Sequence, residues 1–250
     1  MIIKEEVWIE PFALSRMLHI YLPDDLEEDE RLPVLYMFDG HNLFYDEDAT
    51  YGNCWGLLDY LDKHHNRLMI VGLECNHEGN ERLSEFSPYS FEDYHFGYIE
   101  GKGTTLITWM INELKPYIDH KYPTLTNRDN TYIGGSSMGG LMSLYMILKH
   151  SDIFSKAVVV SPHLYPLFKQ LKKDLRSKMH PHTEVYISWG GKEYGSEHLL
   201  AMVTDQNLQV IRALMTKKQV KVIPYAFKNH DHSERSWRKE LPMWFKALKL

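Results

Sequence analysis

Residues 135–139 read Gly-Ser-Ser-Met-Gly, which places Ser137 at the centre of a G-x-S-x-G pattern. In this pattern a serine sits on a strained turn between a buried strand and a helix, with small residues two before and two after it because the backbones crowd there. The flanks suit that context. Asn130-Thr131-Tyr132-Ile133 is β-favouring, and Leu141–His150 carries apolar residues at helical spacing. The competing reading is a Gly-rich turn whose serine caps a helix. A serine hydroxyl is a weak nucleophile at neutral pH and needs a base, usually a histidine, itself oriented by a carboxylate.

For a serine on such an elbow the order along the chain is serine, then acid, then histidine, each after a later strand. Thr183–Trp189 reads as a strand, and Gly190-Gly191-Lys192-Glu193 follows it, so Glu193 is the expected acid; Glu197 is a fallback that falls within the next helix. Val220–Phe227 reads as the next strand, and Lys228-Asn229-His230-Asp231-His232 follows, so the base is His230 or His232. A His-x-His pair also has metal-ligand types. No H-E-x-x-H and no paired cysteines complete a site, so neither a metal nor a cofactor is expected. A tetrahedral oxyanion needs two aimed N–H donors, one from the residue after the nucleophile and one from the loop after an early strand. These are the backbone amides of Met138 and, in the turn Asp39-Gly40-His41-Asn42, of His41. The side chain of His41 is then free to form a wall of the site.

The elements that must hold these groups alternate. Ile2–Ile9 and Leu14–Leu22 read as two strands in an antiparallel edge pair; strands at Pro33–Gly40 and Leu68–Leu73 bracket a helix over about 53–65. Residues 76–98 are polar and aromatic without a clear period and read as a long functional loop. Gly103–Tyr117 is an amphipathic helix. After the elbow come a strand at Lys156–Ser161, helices at about 164–178 and 197–216, and a last helix at Ser236–Leu248. Such alternation implies an α/β fold with a mainly parallel central sheet and helices on both faces. With no linker or repeat, residues 1–250 read as a single domain, and no large insertion follows Ala157–Ser161 to form a lid.

A net charge of -6 gives no reason to expect a nucleic-acid or membrane partner. The acidic run 24–30 reads as a solvated loop. No apolar run approaches a membrane span, Met1–Glu6 lacks the features of a secretory signal, and two cysteines, Cys54 and Cys75, suit a reducing cytoplasm.

Several stretches resemble the esterase D family of α/β-hydrolases, which includes siderophore and feruloyl esterases, S-formylglutathione hydrolases and mycolyltransferases. They are Pro33–Phe44, Arg82-Leu83-Ser84-Glu85-Phe86-Ser87-Pro88, Leu114–Ile118, the elbow with Ser161-Pro162 after it, and His232-Ser233-Glu234-Arg235-Ser236-Trp237. The resemblance implies the α/β-hydrolase fold and a serine carboxylesterase acting on a small-molecule ester, possibilities including a siderophore or aromatic-acid ester. An acyltransferase with the same triad, or a non-catalytic member of the fold, is the alternative. The family's H-[NS]-E-x-x-W stretch falls on His232 through Trp237, which makes His232 the implied base; its acid falls on Glu193 and its oxyanion donors on His41 and Met138. Arg82 is then a candidate to hold a substrate carboxylate or phenolate, against a surface ion pair with Glu85 at i, i+3. Tyr45 and the aromatics of Phe91–Tyr98 are candidates to stack an aromatic acyl group, against packing of the loop onto the sheet.

Overall fold

The computed structural model of the chain describes residues 1–250. The strands are β1 (Ile2–Ile9), β2 (Leu14–Tyr21), β3 (Val34–Phe38), β4 (Met69–Leu73), β5 (Phe91–Asp93), β6 (Gly97–Ile99), β7 (Thr131–Ser136), β8 (Lys156–Val160), β9 (Thr183–Gly190) and β10 (Val220–Phe227). The helices are α1 (Leu57–His64), α2 (Glu81–Glu85), α3 (Gly103–Trp109), α4 (Lys115–Lys121), α5 (Met138–Lys149), α6 (Phe168–Asp174), α7 (Glu197–Met215), α8 (Glu234–Arg238) and α9 (Leu241–Leu248). Eight strands form one sheet in the order β1-β2-β4-β3-β7-β8-β9-β10. β1–β2 and β2–β4 pair antiparallel, and every pairing from β4 to β10 is parallel. The expected antiparallel edge and parallel centre are both present.

Of the central strands, β3, β4 and β8 are almost wholly apolar because both of their faces are covered. Val34, Tyr36 and Phe38 of β3 face the larger core with α3, α5 and α7, while Leu35 and Met37 face the smaller one with α1 and α9. The period of two thus divides one strand between two cores. β10, an edge strand, is largely exposed and carries Pro224, whose missing N–H a central strand would not tolerate.

Four expectations change. The stretch 76–98 contains α2 and the β5–β6 hairpin. α3 and α4 are joined through a π turn at Met110–Leu114, so the amphipathic helix runs on to Lys121. α1 begins at Leu57, because Gly56 at φ 65° cannot continue a right-handed helix from residue 53. The last helix is two, α8 and α9; the ring of Pro242 fits the first turn of α9 and would break a continuous helix. No helix is long and apolar enough to cross a membrane.

Candidate functional site

The sequence-predicted residues converge at the C-terminal ends of the parallel strands, where open α/β sheets place their sites. Ser137 joins β7 to α5 at φ 55°, ψ -120°, a conformation a non-glycine residue holds only when its surroundings enforce it. The enforcement is visible at Gly135, where a β-carbon would lie 2.8 Å from the carbonyl carbon of Gly139. Strand and helix cross at backbone contact, which lifts Ser137 out of the sheet and leaves it half-buried. Its backbone is pinned by its own N–H to the Val160 carbonyl (3.1 Å) and by the His163 N–H to its carbonyl (2.9 Å). Its hydroxyl makes no hydrogen bond within the protein.

Glu193 follows β9 with its side chain 1% exposed, and His232 follows β10 with 32% exposed. The Nδ1 of His232 lies 3.3 Å from Glu193 Oε2. Glu193 Oε1 accepts from the Ser161 hydroxyl at 2.6 Å and from the Gly190 amide. Ser161 in turn accepts the indole N–H of Trp237 at 3.0 Å, and the Trp237 ring meets His232 edge-on, centroids 5.2 Å apart. Ser161 and Trp237 are thus a support for the acid and imidazole that no charge pattern announces; the Ser161-Pro162 and His232–Trp237 stretches were their only signal. Gly190 must be glycine, since a β-carbon there would fall 2.3 Å from the His230 carbonyl oxygen.

His230 has its own carboxylate. Its Nδ1 lies 3.2 Å from Glu240 Oε1, and its ring stacks on Phe227 (4.3 Å, 9°). Glu240 is buried beneath β9 and accepts from Ser188 (2.6 Å) and Tyr186 (3.0 Å). Burial, assisted by the neighbouring Glu193 charge, pushes the Glu240 carboxyl up to about 7. His230 is lowered, chiefly by burial and then by Lys239. The two histidines therefore form two separate carboxylate–imidazole pairs, not one His-x-His ligand set. Glu197 begins α7, as its helical assignment required.

After β3, Asp39 adopts φ 58°, ψ 50° and turns the chain into Gly40–Asn42. The amides of His41 and Met138 donate to no acceptor within the protein. Met138 is the first residue of α5, so its N–H carries the positive end of that helix dipole. The Asp39 carboxylate is buried and grips Arg82 through Nε–Oδ1 and Nη2–Oδ2 bonds, both 2.7 Å. Burial alone would raise Asp39; the Arg82 charge and hydrogen bonds outweigh it and hold its carboxyl below the usual carboxylate value. The alternative of an Arg82–Glu85 ion pair is therefore not the pairing that forms. Arg82 serves Asp39, and Glu85 pairs with the buried Arg16 at 3.0 Å. Arg82 retains only Nη1 without a partner for any substrate anion.

Tyr45 packs half-buried against the smaller core. In the hairpin, Phe91 is buried, whereas Tyr94, Phe96 and Tyr98 are largely in solvent at 96%, 58% and 65% exposure, Tyr94 and Phe96 touching the His95 ring edge-on. Burial lowers His41 and His163 to about 4, with the charges of His232 and Arg82 adding to the effect on His163, and the His41 ring is enclosed at 3% exposure rather than presented as a wall of the site.

Comparison with known proteins bears on the fold and the family. A Bacillus subtilis (strain 168) protein described as "Uncharacterized protein YbbA" is 26% identical over 153 residues, 60% of this chain, and the match spans only 57% of that relative. The crystal structure of the BES protein from Bacillus cereus superposes with a TM-score of 0.72 at 20% identity, covering 95% of this chain and 93% of that one. The siderophore hydrolase EstA from Aspergillus nidulans superposes with a TM-score of 0.75 at 13% identity, covering 99% and 95%. These likenesses share the fold. Residues 13–248 match the Esterase family, described as "Putative esterase", and the chain belongs to that family.

Proposed function

We propose that this protein is a serine carboxylesterase in which Ser137, His232 and Glu193 act as nucleophile, base and orienting acid. The observation that carries the reading is the Glu193–His232 pair (3.3 Å) at the ends of β9 and β10, together with Ser137 in the strained elbow conformation at the end of β7. With Nδ1–H donated to Glu193, Nε2 of His232 is the nitrogen left to accept a proton. His232 takes the Ser137 hydroxyl proton as Oγ attacks the ester carbonyl. The carbonyl oxygen becomes an oxyanion bound by the His41 and Met138 amides. Collapse breaks the ester C–O bond, and the leaving alkoxide receives the proton from His232 as an alcohol. A water, deprotonated by His232, then attacks the acyl-enzyme, and collapse returns the proton to Ser137 and frees the acid. Glu193 keeps the imidazole in one tautomer and offsets its charge while protonated.

Membership of the Esterase family supports ester substrates, and the likeness in fold to a siderophore hydrolase makes siderophore and aromatic-acid esters the first to try. Labelling by a fluorophosphonate probe tests the nucleophile. Wild type should be labelled and Ser137→Ala should not; a folded wild type that resists the probe, or equal labelling of the variant, sinks the assignment. His232→Ala should abolish turnover of nitrophenyl, feruloyl and catecholate esters. Loss confined to His230→Ala would move the base to the other pair.

A further inference from the structure

The oxyanion role requires only the amide of His41, and its imidazole has surroundings of its own. The ring is 3% exposed, Nε2 lies 2.9 Å from Thr50 Oγ1, and the enclosed Nδ1 has no partner. The rings of His41 and His77 meet at 4.6 Å and 75°. One ring nitrogen from each histidine and the Sγ of Cys75 lie within 4.8 Å of one another. Cys75, buried and free, has its sulfur 3.9 Å from His77 Nδ1, while the opposite nitrogen, Nε2, lies 3.7 Å from Glu74 Oε2. His77 thus has Nε2 towards a carboxylate oxygen and Nδ1 towards the thiol, and His41 has Nε2 on the Thr50 hydroxyl and Nδ1 buried without a partner. Metal-ligating histidines are oriented in this way, with the outer nitrogen held by a carboxylate or hydroxyl.

We propose that His41, Cys75 and His77 form a binding site for one thiophilic divalent cation of the zinc class, with Thr50 and Glu74 orienting the two imidazoles and a fourth position open to solvent beside the exposed His77. One sulfur and two imidazole nitrogens suit Zn²⁺ and the borderline metals that follow it, and offer too little oxygen for Ca²⁺ or Mg²⁺. Bonds of about 2.0–2.3 Å to a tetrahedral centre bring ligand atoms to roughly 3.5 Å from one another. The Cys75–His77 separation, 3.9 Å, exceeds that by about 0.4 Å and none exceeds 4.8 Å, so small side-chain adjustments, the largest at the exposed His77, close the site. Binding exchanges the Cys75 thiol proton for the metal, releasing one H⁺ to solvent and leaving a thiolate–metal bond. Burial and the neighbouring Asp39 carboxylate hold the Cys75 thiol in its protonated form, so the incoming cation itself must drive the proton off. Arg82 and Arg16, the nearby cations, are paired with Asp39 and Glu85, and Glu74, which also bonds His19 at 2.8 Å, lies beside His77.

Co²⁺ titration of the full chain tests this site without reference to esterase activity. Wild type should take up one equivalent and develop the near-ultraviolet thiolate-to-cobalt charge-transfer band, which one equivalent of Zn²⁺ bleaches. The band should vanish in Cys75→Ser and persist in Cys54→Ser. His77→Ala and Glu74→Gln should each weaken binding by at least about tenfold, with far-ultraviolet circular dichroism confirming that each variant is folded. Absence of the band in wild type, or its survival in Cys75→Ser, overturns the proposal. A Ser137→Ala variant that binds Co²⁺ as wild type does would place the cation outside the proposed catalytic machinery; loss of the band there would contradict the site as drawn.

Discussion

Replacing Arg82 by alanine removes the only cation paired with a carboxylate whose side chain is 5% exposed. Asp39 would lose two charge-assisted bonds of 2.7 Å while keeping its negative charge in a buried turn. Breaking a buried pair from one side costs about 3–5 kcal/mol. Arg82 itself is 30% exposed, so water replaces part of the loss and the lower end, about 3 kcal/mol, applies. At about 2–4 °C per kcal/mol for a chain of this length, Tm falls by roughly 6–12 °C. The pH dependence has a definite sign. Burial opposes ionisation of Asp39 and Arg82 reverses it, so the folded pKa lies below the unfolded one. The stabilisation is fully present above the unfolded value of 3.8 and is lost as pH falls through the folded one. The gap between wild type and variant is therefore widest at neutral pH and closes in acid. Asp39 also begins the turn that aims the His41 amide. Complete loss of an oxyanion donor costs about a hundredfold to a thousandfold in kcat, and a misaimed donor about ten- to a hundredfold, with KM nearly unchanged. Thermal unfolding followed by circular dichroism and nitrophenyl acetate kinetics read both effects. A Tm within about 2 °C of wild type together with kcat within about twofold would refute the reasoning. So would an Asp39→Asn/Arg82→Met double variant less stable than Arg82→Met alone, since removing both charges leaves none stranded.

Glu193→Gln keeps the shape of the acid and removes its charge; kcat should fall by roughly a hundredfold to ten-thousandfold with little change in KM, and an unchanged kcat would point to His230–Glu240 as the working pair. Glu240→Gln tests the second carboxylate. Burial raises the folded Glu240 from 4.5 to about 7, so the wild-type fold takes up a proton there and loses stability as pH rises from about 4.5 to 7. Relative to wild type, the glutamine variant should therefore gain about 3 kcal/mol between pH 5 and pH 8. Urea unfolding at the two values measures this, and a constant difference would contradict it.

What could be read in advance followed from local chemistry. β3, β4 and β8 announce themselves as apolar runs because two cores claim their alternate faces. A carboxylate after β9 and a histidine after β10 are foreseeable because the order of strands sets where the proposed partners of Ser137 emerge, but the choice of His232 over His230 came only with the family resemblance. What escaped is non-local or short. The Asp39–Arg82 pair joins residues 43 apart, and nothing in the i, i+3 spacing of Arg82 and Glu85 reveals that each has a better partner across the fold. α2, β5 and β6 are 3–5 residues long, below the window in which a period can be recognised. The apolar pattern of 236–248 spans α8 and α9 alike, because it records which side faces the core and not where the chain bends. Glu240, charged and adjacent to Lys239, reads as surface, yet it lies 1% exposed under Ser188 and Tyr186.

The three carboxylates around the site share one arrangement. Glu193, Asp39 and Glu240 have side chains 1%, 5% and 1% exposed, and each holds a more exposed basic partner: His232 at 32%, Arg82 at 30% and His230 at 14%. A carboxylate buried on fixed donors is costly to desolvate but has a single orientation, so it transmits that orientation to the group above it. The mobile partner can then meet solvent and substrate without losing its bearing. In the Glu193 pair the orientation passes to the proposed base, and in the Asp39 pair to the turn carrying the proposed oxyanion donor. The Glu240 pair ends on an imidazole stacked against Phe227 at the edge strand, and the His230 carbonyl above Gly190 ties that loop to the strand end from which Glu193 projects. Its orientation therefore reaches the proposed acid through the backbone. On this reasoning, disturbing Glu240 alters catalysis only as far as it moves the 228–232 loop, whereas disturbing Glu193 acts on the imidazole directly.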